Sequence, residues 1–231
     1  MGNWWCGPAR ECPNWTGKLS GTSPPNNGDL MAWLLIDNSN TRTKFALGDS
    51  EGLHEWRRVV PTADIVSAEF LSSLLHDVSF EAVMICSVVP GKGEIMKLFF
   101  KKWKNLPVHM LDASSPLGMG IDYPNPAQIG ADRLANAAGV VSRHGVPAII
   151  IDFGTAVTFD VISAEPAYCG GVIAPGLGAM SDYLTKKTAL LPEIELEEPS
   201  SAIGKSTVHA MQVGAVIGYR GLVKEIIARV C

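Results

Sequence analysis

The strongest constraint on this chain is a pattern that occurs twice. Residues 34–47 read LLIDNSNTRTKFAL and residues 148–162 read AIIIDFGTAVTFDVI. Each is an apolar run ending in Asp, then a cluster of small polar residues, then a second extended run. Short apolar runs bounded by turn residues read as paired strands. Residues 32–47 and 148–162 are therefore each expected to form a hairpin. Asp37 and Asp152 stand half a chain apart. Solenoid repeats recur at roughly 20–50 residues, so the spacing points to a duplicated domain.

The stretches between and after the hairpins alternate in type. Ile65, Phe70, Leu71, Leu74 and Leu75 give 64–76 a helical period, and EAVMICSVV (81–89) reads as a buried strand stopped by Pro90. Residues 93–104 are expected as a helix and PVHML as a short strand. Tyr123-Pro124-Asn125-Pro126 forces an irregular segment, because proline is a poor helix interior residue. A helix restarts over 130–144. CGGVIAP (169–175) adds a strand, 178–190 and 206–229 read as helices, and EIELEEPSS between them as an acidic connector. Such alternation gives an α/β protein.

Composition narrows the partners. The chain has 231 residues, 47% apolar and 18% charged, with a formal net charge of −4. That suffices for one large domain or two small ones with a real core. A nucleic-acid surface needs clustered Lys and Arg; the nearest cluster, Lys97, Lys101, Lys102 and Lys104, reads as a solvated helix face. No nucleic acid and no membrane are expected as partners, since Asp or Lys interrupts every apolar run before spanning length. Cys6, Cys12, Cys86, Cys169 and Cys231 show neither C-x-x-C nor zinc spacing. They read as reduced thiols of a cytoplasmic protein. Residues 1–30 are rich in Gly, Pro, Asn and Trp without an apolar period. They are expected to be a disordered N-terminal extension, with Met31 as the working start.

Two Asp-ended turns, one per half, suit phosphate chemistry. Backbone N–H groups and hydroxyls can face phosphate oxygens, and each Asp can hold a cation or its waters. Asn40, Thr41 and Thr43 supply donors in the first turn; Gly154, Thr155 and Thr158 supply them in the second. Either turn alone would pass as a hairpin with a polar tip. The run Gly130-Ala131-Asp132-Arg133 adds a carboxylate able to accept a hydroxyl proton and a guanidinium able to clamp an anion. Gly204-Lys205-Ser206-Thr207 mimics the end of a P-loop, but Pro199 stands where its first glycine belongs and no buried strand precedes it. His54, His76, His109, His144 and His209 lie outside these motifs. Ser181 and Cys169 lack a base partner for nucleophilic catalysis.

The ordered segments IDNSNTRTKFAL, YPNPAQIGADRLANA, IDFGTAVTFDVISAE, GGVIAPGL and IGKSTVHAMQVGAVIGY resemble the type III pantothenate kinases. These belong to the sugar kinase–actin–heat-shock chaperone superfamily. The resemblance covers most of 32–223. It implies two ribonuclease H-like (actin-like ATPase) lobes, at 31–130 and 131–231, the second shortened at its C-terminal end. It implies ATP-dependent phosphorylation of pantothenate to 4'-phosphopantothenate, the first step of coenzyme A biosynthesis. The alternative is a catalytically weak relative acting as a regulatory or accessory protein.

By the same resemblance Asp132 is the catalytic base. Asp37, Asn38, Ser39, Asn40, Thr41, Arg42, Thr43, Lys44 and Thr155 bind ATP. Tyr123, Gly130, Ala131, Asp132, Arg133 and Thr207 bind pantothenate, with Thr207 reached from the second subunit of a homodimer. Asp152 holds a monovalent cation, K⁺ or NH₄⁺, and Asp37 lies by Mg²⁺. The carboxyl groups at 37, 132 and 152 are expected to converge.

Two departures from the family pattern carry expectations. Ser39 stands where the first turn has Gly; if that position needs positive φ or close approach of a phosphate, serine costs about 1 kcal/mol or more and misplaces a donor, so ATP affinity is expected to be weakened and Ser39→Gly should lower the Michaelis constant for ATP. The family continues beyond 206–229 with a strand, a Gly-Gly turn and closing helices, so little kinase activity is expected of these 231 residues alone.

Overall fold

The computed structural model describes residues 32–103 and 105–231. The expected extension at 1–30, with Cys6 and Cys12, lies outside the described residues, as does Lys104. The chain divides into two compact units. The first runs through Gly118 and resumes over Asn125–Arg143; the second comprises Met119–Pro124 and His144–Cys231.

The first unit contains β1 (Trp33–Asn38), β2 (Arg42–Gly48), β3 (Leu53–Pro61), α1 (Ala68–Leu74), β4 (Ala82–Ser87), α2 (Pro90–Trp103) and β5 (Val108–Met110). Its sheet has the order β3-β2-β1-β4-β5. β1 pairs antiparallel with β2 and parallel with β4. Side chains alternate between faces along a strand, and β1 obeys this: Leu34, Ile36 and Asn38 are buried while Trp33, Leu35 and Asp37 are half-buried. Leu34, Ile36, Phe45, Val83 and Ile85 meet Leu71, Met96, Phe99 and Phe100 in one core. Burying each such side chain contributes about 1.5–3 kcal/mol. α1 starts where Ser67 accepts a hydrogen bond from the Phe70 N–H, 3.3 Å. α2 begins at Pro90, earlier than 93, because proline lacks the N–H that a first helical turn leaves unpaired. β3 has no counterpart in the sequence reading. It is an edge strand, LHEWRRVVP, with Leu53 and Val59 more than half exposed, so its apolar pattern is weak.

The second unit contains β6 (Gly120–Ile121). The chain then returns to the first unit for α3 (Ala131–Arg143), an amphipathic helix with Ala131, Leu134 and Ala137 buried. Back in the second unit come β7 (Ala148–Phe153), β8 (Ala156–Ile162), β9 (Ala167–Pro175), α4 (Leu177–Lys187), α5 (Thr207–Val213) and α6 (Tyr219–Val230). The sheet order is β6-β9-β8-β7. β7, β8 and β9 form the same antiparallel meander as β1, β2 and β3. Val157, Phe159 and Tyr219 centre its core, with Leu177, Val223 and Ile227 against them. The helix expected over 206–229 is present, with a π-helical turn at Gly214–Gly218 between α5 and α6. Among the described residues no helix is long and apolar enough to cross a membrane.

Candidate functional site

The first turn is built from two adjacent rows of the sheet. In the outer row Lys44, Asp37 and Cys86 lie side by side on β2, β1 and β4. Lys44 Nζ donates to Asp37 Oδ2 at 2.8 Å, and Ser39 Oγ donates to Asp37 Oδ1 at 3.1 Å. Both carboxylate oxygens are thus engaged. The ion pair is open to water, with 39% of the Asp37 side chain exposed, so it stabilises the fold little. Its effect is to orient a carboxylate at the strand end.

Asp132 comes to the same place from α3. Its Oδ1 accepts the Arg133 N–H at 2.8 Å, folding the carboxylate back over the helix start. That fold requires glycine before it: a Cβ on Gly130 would fall 2.6 Å from Asp132 Oδ1. Cys86 registers both carboxylates. Burial pushes its thiol up to about 12, and the negative charges of Asp37 and Asp132 add to the rise while Lys44 opposes it. Asp37 thus lies beside Cys86 in the sheet, and α3, which carries Asp132 at its start, packs on the same strand β4, all within the first unit.

The inner row runs along the buried face. Asn38 and Thr43 are 1% and 0% exposed. Strand alternation turns both side chains into the interior, so only their backbone can meet a nucleotide. Asn40, Thr41 and Arg42 form the exposed tip. Ser39 does not need the left-handed region: among the described residues the non-glycine positive φ is at Asn105. The steric cost feared for serine does not arise, and its hydroxyl serves Asp37.

In the second unit Asp152 is next to last in β7 and, with Gly154 and Thr155, is exposed. The Gly154 N–H donates to the Ala156 carbonyl at 2.9 Å and the Gly176 N–H to the Thr155 carbonyl at 3.0 Å. Tyr123 packs edge-on against Tyr168, with centroids 6.2 Å apart. Gly170 beside the Tyr123 ring has φ 124°, a backbone conformation that favours glycine. Thr207 is exposed at the first position of α5. Ser206 caps that helix by accepting the His209 N–H at 3.1 Å, so the G-K-S-T run is a capping device. Gly204 is required there, because a Cβ would lie 2.4 Å from Ala210 Cα.

Sequence reasoning missed two features. One is Cys86, which the register of β1 with β4 could have placed opposite Asp37. The other is a hollow of about 450 Å³ beside the second turn, lined by Phe153, Gly154, Leu177, Val216, Tyr219 and Arg220. Its residues come from three separate segments, and no local pattern signals it. Among the described residues no three His, Cys, Asp or Glu side chains cluster as a metal cage. Mg²⁺ commonly uses one or two carboxylates plus substrate phosphates, and Asp37 with its exposed turn fits that mode.

The topology is shared with a solved structure, described as a conserved putative Baf family transcriptional activator from Campylobacter jejuni. It has a TM-score of 0.53 at 19% identity and is covered over 78% of its length by 84% of this chain. At that identity the likeness concerns the fold alone. Two meanders, each with Asp next to last in its first strand, define two units of the ribonuclease H-like (actin-like ATPase) fold class.

Residues 33–229 match the family model for type III pantothenate kinase. A type III pantothenate kinase of Akkermansia muciniphila is 58% identical over 86% of this chain and 80% of its own length. One from Methylacidiphilum infernorum is 47% identical over 85% of this chain and 70% of its own length. The chain belongs to the type III pantothenate kinase family.

Proposed function

We propose that the chain transfers the γ-phosphoryl group of ATP to the primary hydroxyl of pantothenate, giving 4'-phosphopantothenate, the entry to coenzyme A. Beyond family membership, the observation that carries this is the packing of α3, which starts at Ala131-Asp132, on β4, the strand paired with the one that holds Asp37, with Gly130 leaving the Asp132 carboxylate its room. The substrate hydroxyl oxygen bonds to the γ-phosphorus as the bond to the ADP oxygen breaks, and Asp132 takes the hydroxyl proton. Such transfer depends mainly on positioning and on stabilising charge over the phosphoryl oxygens.

Residues 37–44 present the first turn to the phosphates, with Asn38 and Thr43 acting through their backbone. Thr155 serves the second turn, and the hollow beside it takes the nucleoside, its apolar lining suiting a base face. Tyr123, Gly130, Ala131 and Arg133 receive pantothenate, and Thr207 of a second copy completes a homodimeric site. Asp37 would hold Mg²⁺ or its waters and Asp152 a monovalent cation, K⁺ or NH₄⁺; bound, they neutralise phosphate charge. The setting is the cytoplasm.

A coupled assay of ADP release with ATP and pantothenate tests the reading. Asp132→Asn keeps the shape and removes the base, so kcat should fall about 10²–10⁴-fold. Equal turnover by the variant overturns the assignment.

A further inference from the structure

Directly behind the Lys44–Asp37–Cys86 row lies a polar row where the alternation of Leu34 and Ile36 leads one to expect an apolar one. Thr43, Asn38 and Ser87 are aligned across β2, β1 and β4, and Thr62 follows β3. Asn38, Thr43 and Thr62 are 1%, 0% and 3% exposed. Burying polar groups is costly unless they are paired, and here they are paired in series. Ser87 Oγ donates to Asn38 Oδ1 at 2.7 Å, and Asn38 Nδ2 donates to Thr43 Oγ1 at 2.7 Å. Thr43 Oγ1 and Thr62 Oγ1 are 2.9 Å apart. Thr62 Oγ1 donates to the Ser39 carbonyl at 2.6 Å.

Proton counting fixes the direction. Each hydroxyl has one proton to give. Thr62 gives its proton to the Ser39 carbonyl, so Thr43 must donate to Thr62 and has only its lone pairs left for the Asn38 amide. The series therefore runs one way, from Ser87 to the Ser39 carbonyl. Its start is clamped: Ser87 Oγ has its single proton shared between Asn38 Oδ1 at 2.7 Å and the Val89 carbonyl at 3.1 Å, the shorter contact being to Asn38, the Val89 N–H donates to Ser87 Oγ at 3.2 Å, and a Cβ on Gly93 of α2 would fall 2.9 Å from the same oxygen. Its end sets a peptide plane. In a trans peptide the C=O and N–H point in opposite directions. Drawing the Ser39 carbonyl inward onto Thr62 turns the Asn40 N–H outward, toward the exposed tip of the turn.

We propose that Ser87, Asn38, Thr43 and Thr62 are positioning residues that lock the Ser39–Asn40 peptide with its N–H presented to the phosphates of ATP. They act through the backbone and do not touch the nucleotide. The inference rests on the reading of residues 37–44 as a phosphate turn. It accounts for a buried asparagine at a strand position that packing alone would fill with an aliphatic residue.

Thr62→Val keeps the shape and removes the donor, whereas Thr62→Ser keeps the donor. With the full chain, the Michaelis constant for ATP should rise about tenfold in Thr62→Val, the scale of one buried hydrogen bond. It should return to within about twofold in Thr62→Ser, and the constant for pantothenate should stay unchanged in both. Thermal melting is followed in parallel. A Thr62→Val protein that melts lower yet binds ATP normally overturns the proposal, as does equal impairment in Thr62→Ser. Asp37→Asn separates the two layers of the argument. If it leaves turnover intact, the phosphate-turn reading falls and the inference with it. If it impairs turnover while Thr62→Val matches the parent, the inference alone falls.

Discussion

The two Asp-ended hairpins begin alike and are supported by different means. In the first, Asp37 faces Lys44 across the ladder, and the next row holds Asn38 opposite Thr43. In the second, Asp152 faces Thr158, and the next row holds Phe153 opposite Val157. The polar pair is buried and continues into a hydrogen-bonded series; in the apolar pair Val157 is fully buried and Phe153 is 60% exposed. The first turn is therefore scaffolded by side chains in addition to backbone bonds, Ser39 N–H to the Arg42 carbonyl at 3.2 Å and Thr62 N–H to the Thr41 carbonyl at 3.0 Å. The second is scaffolded by backbone, through the Gly154 and Gly176 amides. The flanks differ too: β1 lies between β2 and β4, whereas β7 is the edge of its sheet among the described residues. The two turns are thus held in different ways, with different sensitivity to mutation.

The sharpest way to break this contrast is to remove the two charges in parallel. Asp37→Asn should lower kcat by about 10²–10³-fold, the scale of losing one preorganised electrostatic group, and should shift the Mg²⁺ requirement. Asp152→Asn should act mainly on the K⁺ or NH₄⁺ requirement, raising the half-saturating concentration about tenfold. Initial rates titrated with each cation decide. If both variants respond to the same cation, the turns are functionally equivalent and the contrast is only architectural.

Cys86 gives the next largest effect, since β7 has no flanking strand to carry its counterpart among the described residues. Its thiol is pushed up to about 12, and only the thiolate is nucleophilic. In nucleotide-free protein Cys86 should alkylate at least about a hundredfold more slowly than exposed Cys169 at neutral pH. Raising the pH toward 9 should leave Cys86 protonated and slow to label. Mass spectrometry of timed iodoacetamide labelling reads both sites, and equal rates would show that the Cys86 thiol is not buried beneath the turn.

The smallest effect concerns stability alone. A Cβ on Gly176 would lie 2.1 Å from the Gly154 carbonyl oxygen, a backbone atom that cannot swing aside. Gly176→Ala should cost about 1–3 kcal/mol by overpacking, measured by urea unfolding. Unchanged stability would show that the second turn does not depend on its backbone contact.

Much of this was legible in the chain itself. Both hairpins, the strand at 81–89 and the helices around 68, 95, 135, 180 and 210–230 follow from periodicity and punctuation. β3 was hidden because an exposed edge strand needs no apolar alternation. The G-K-S-T run misled only in isolation; its acidic approach and Pro199 already excluded a phosphate loop, and the structure makes it a helix cap. Of the two grounds for a cost at Ser39 the structure answers one, since its φ is not positive; a sequence gives a residue's type and not its φ.

The sequence by itself determined the duplicated strand–Asp–turn–strand plan and the family, because local patterns record which elements form and their order. Only the tertiary structure decided which side chains share a row. The register of β1 with β2 and β4 set Lys44 and Cys86 beside Asp37, and sent Asn38 inward to Thr43 and Ser87. Side chains change face with every residue along a strand. Which atoms become neighbours is therefore fixed by pairing partners far away in the chain, and no local stretch of sequence contains that information.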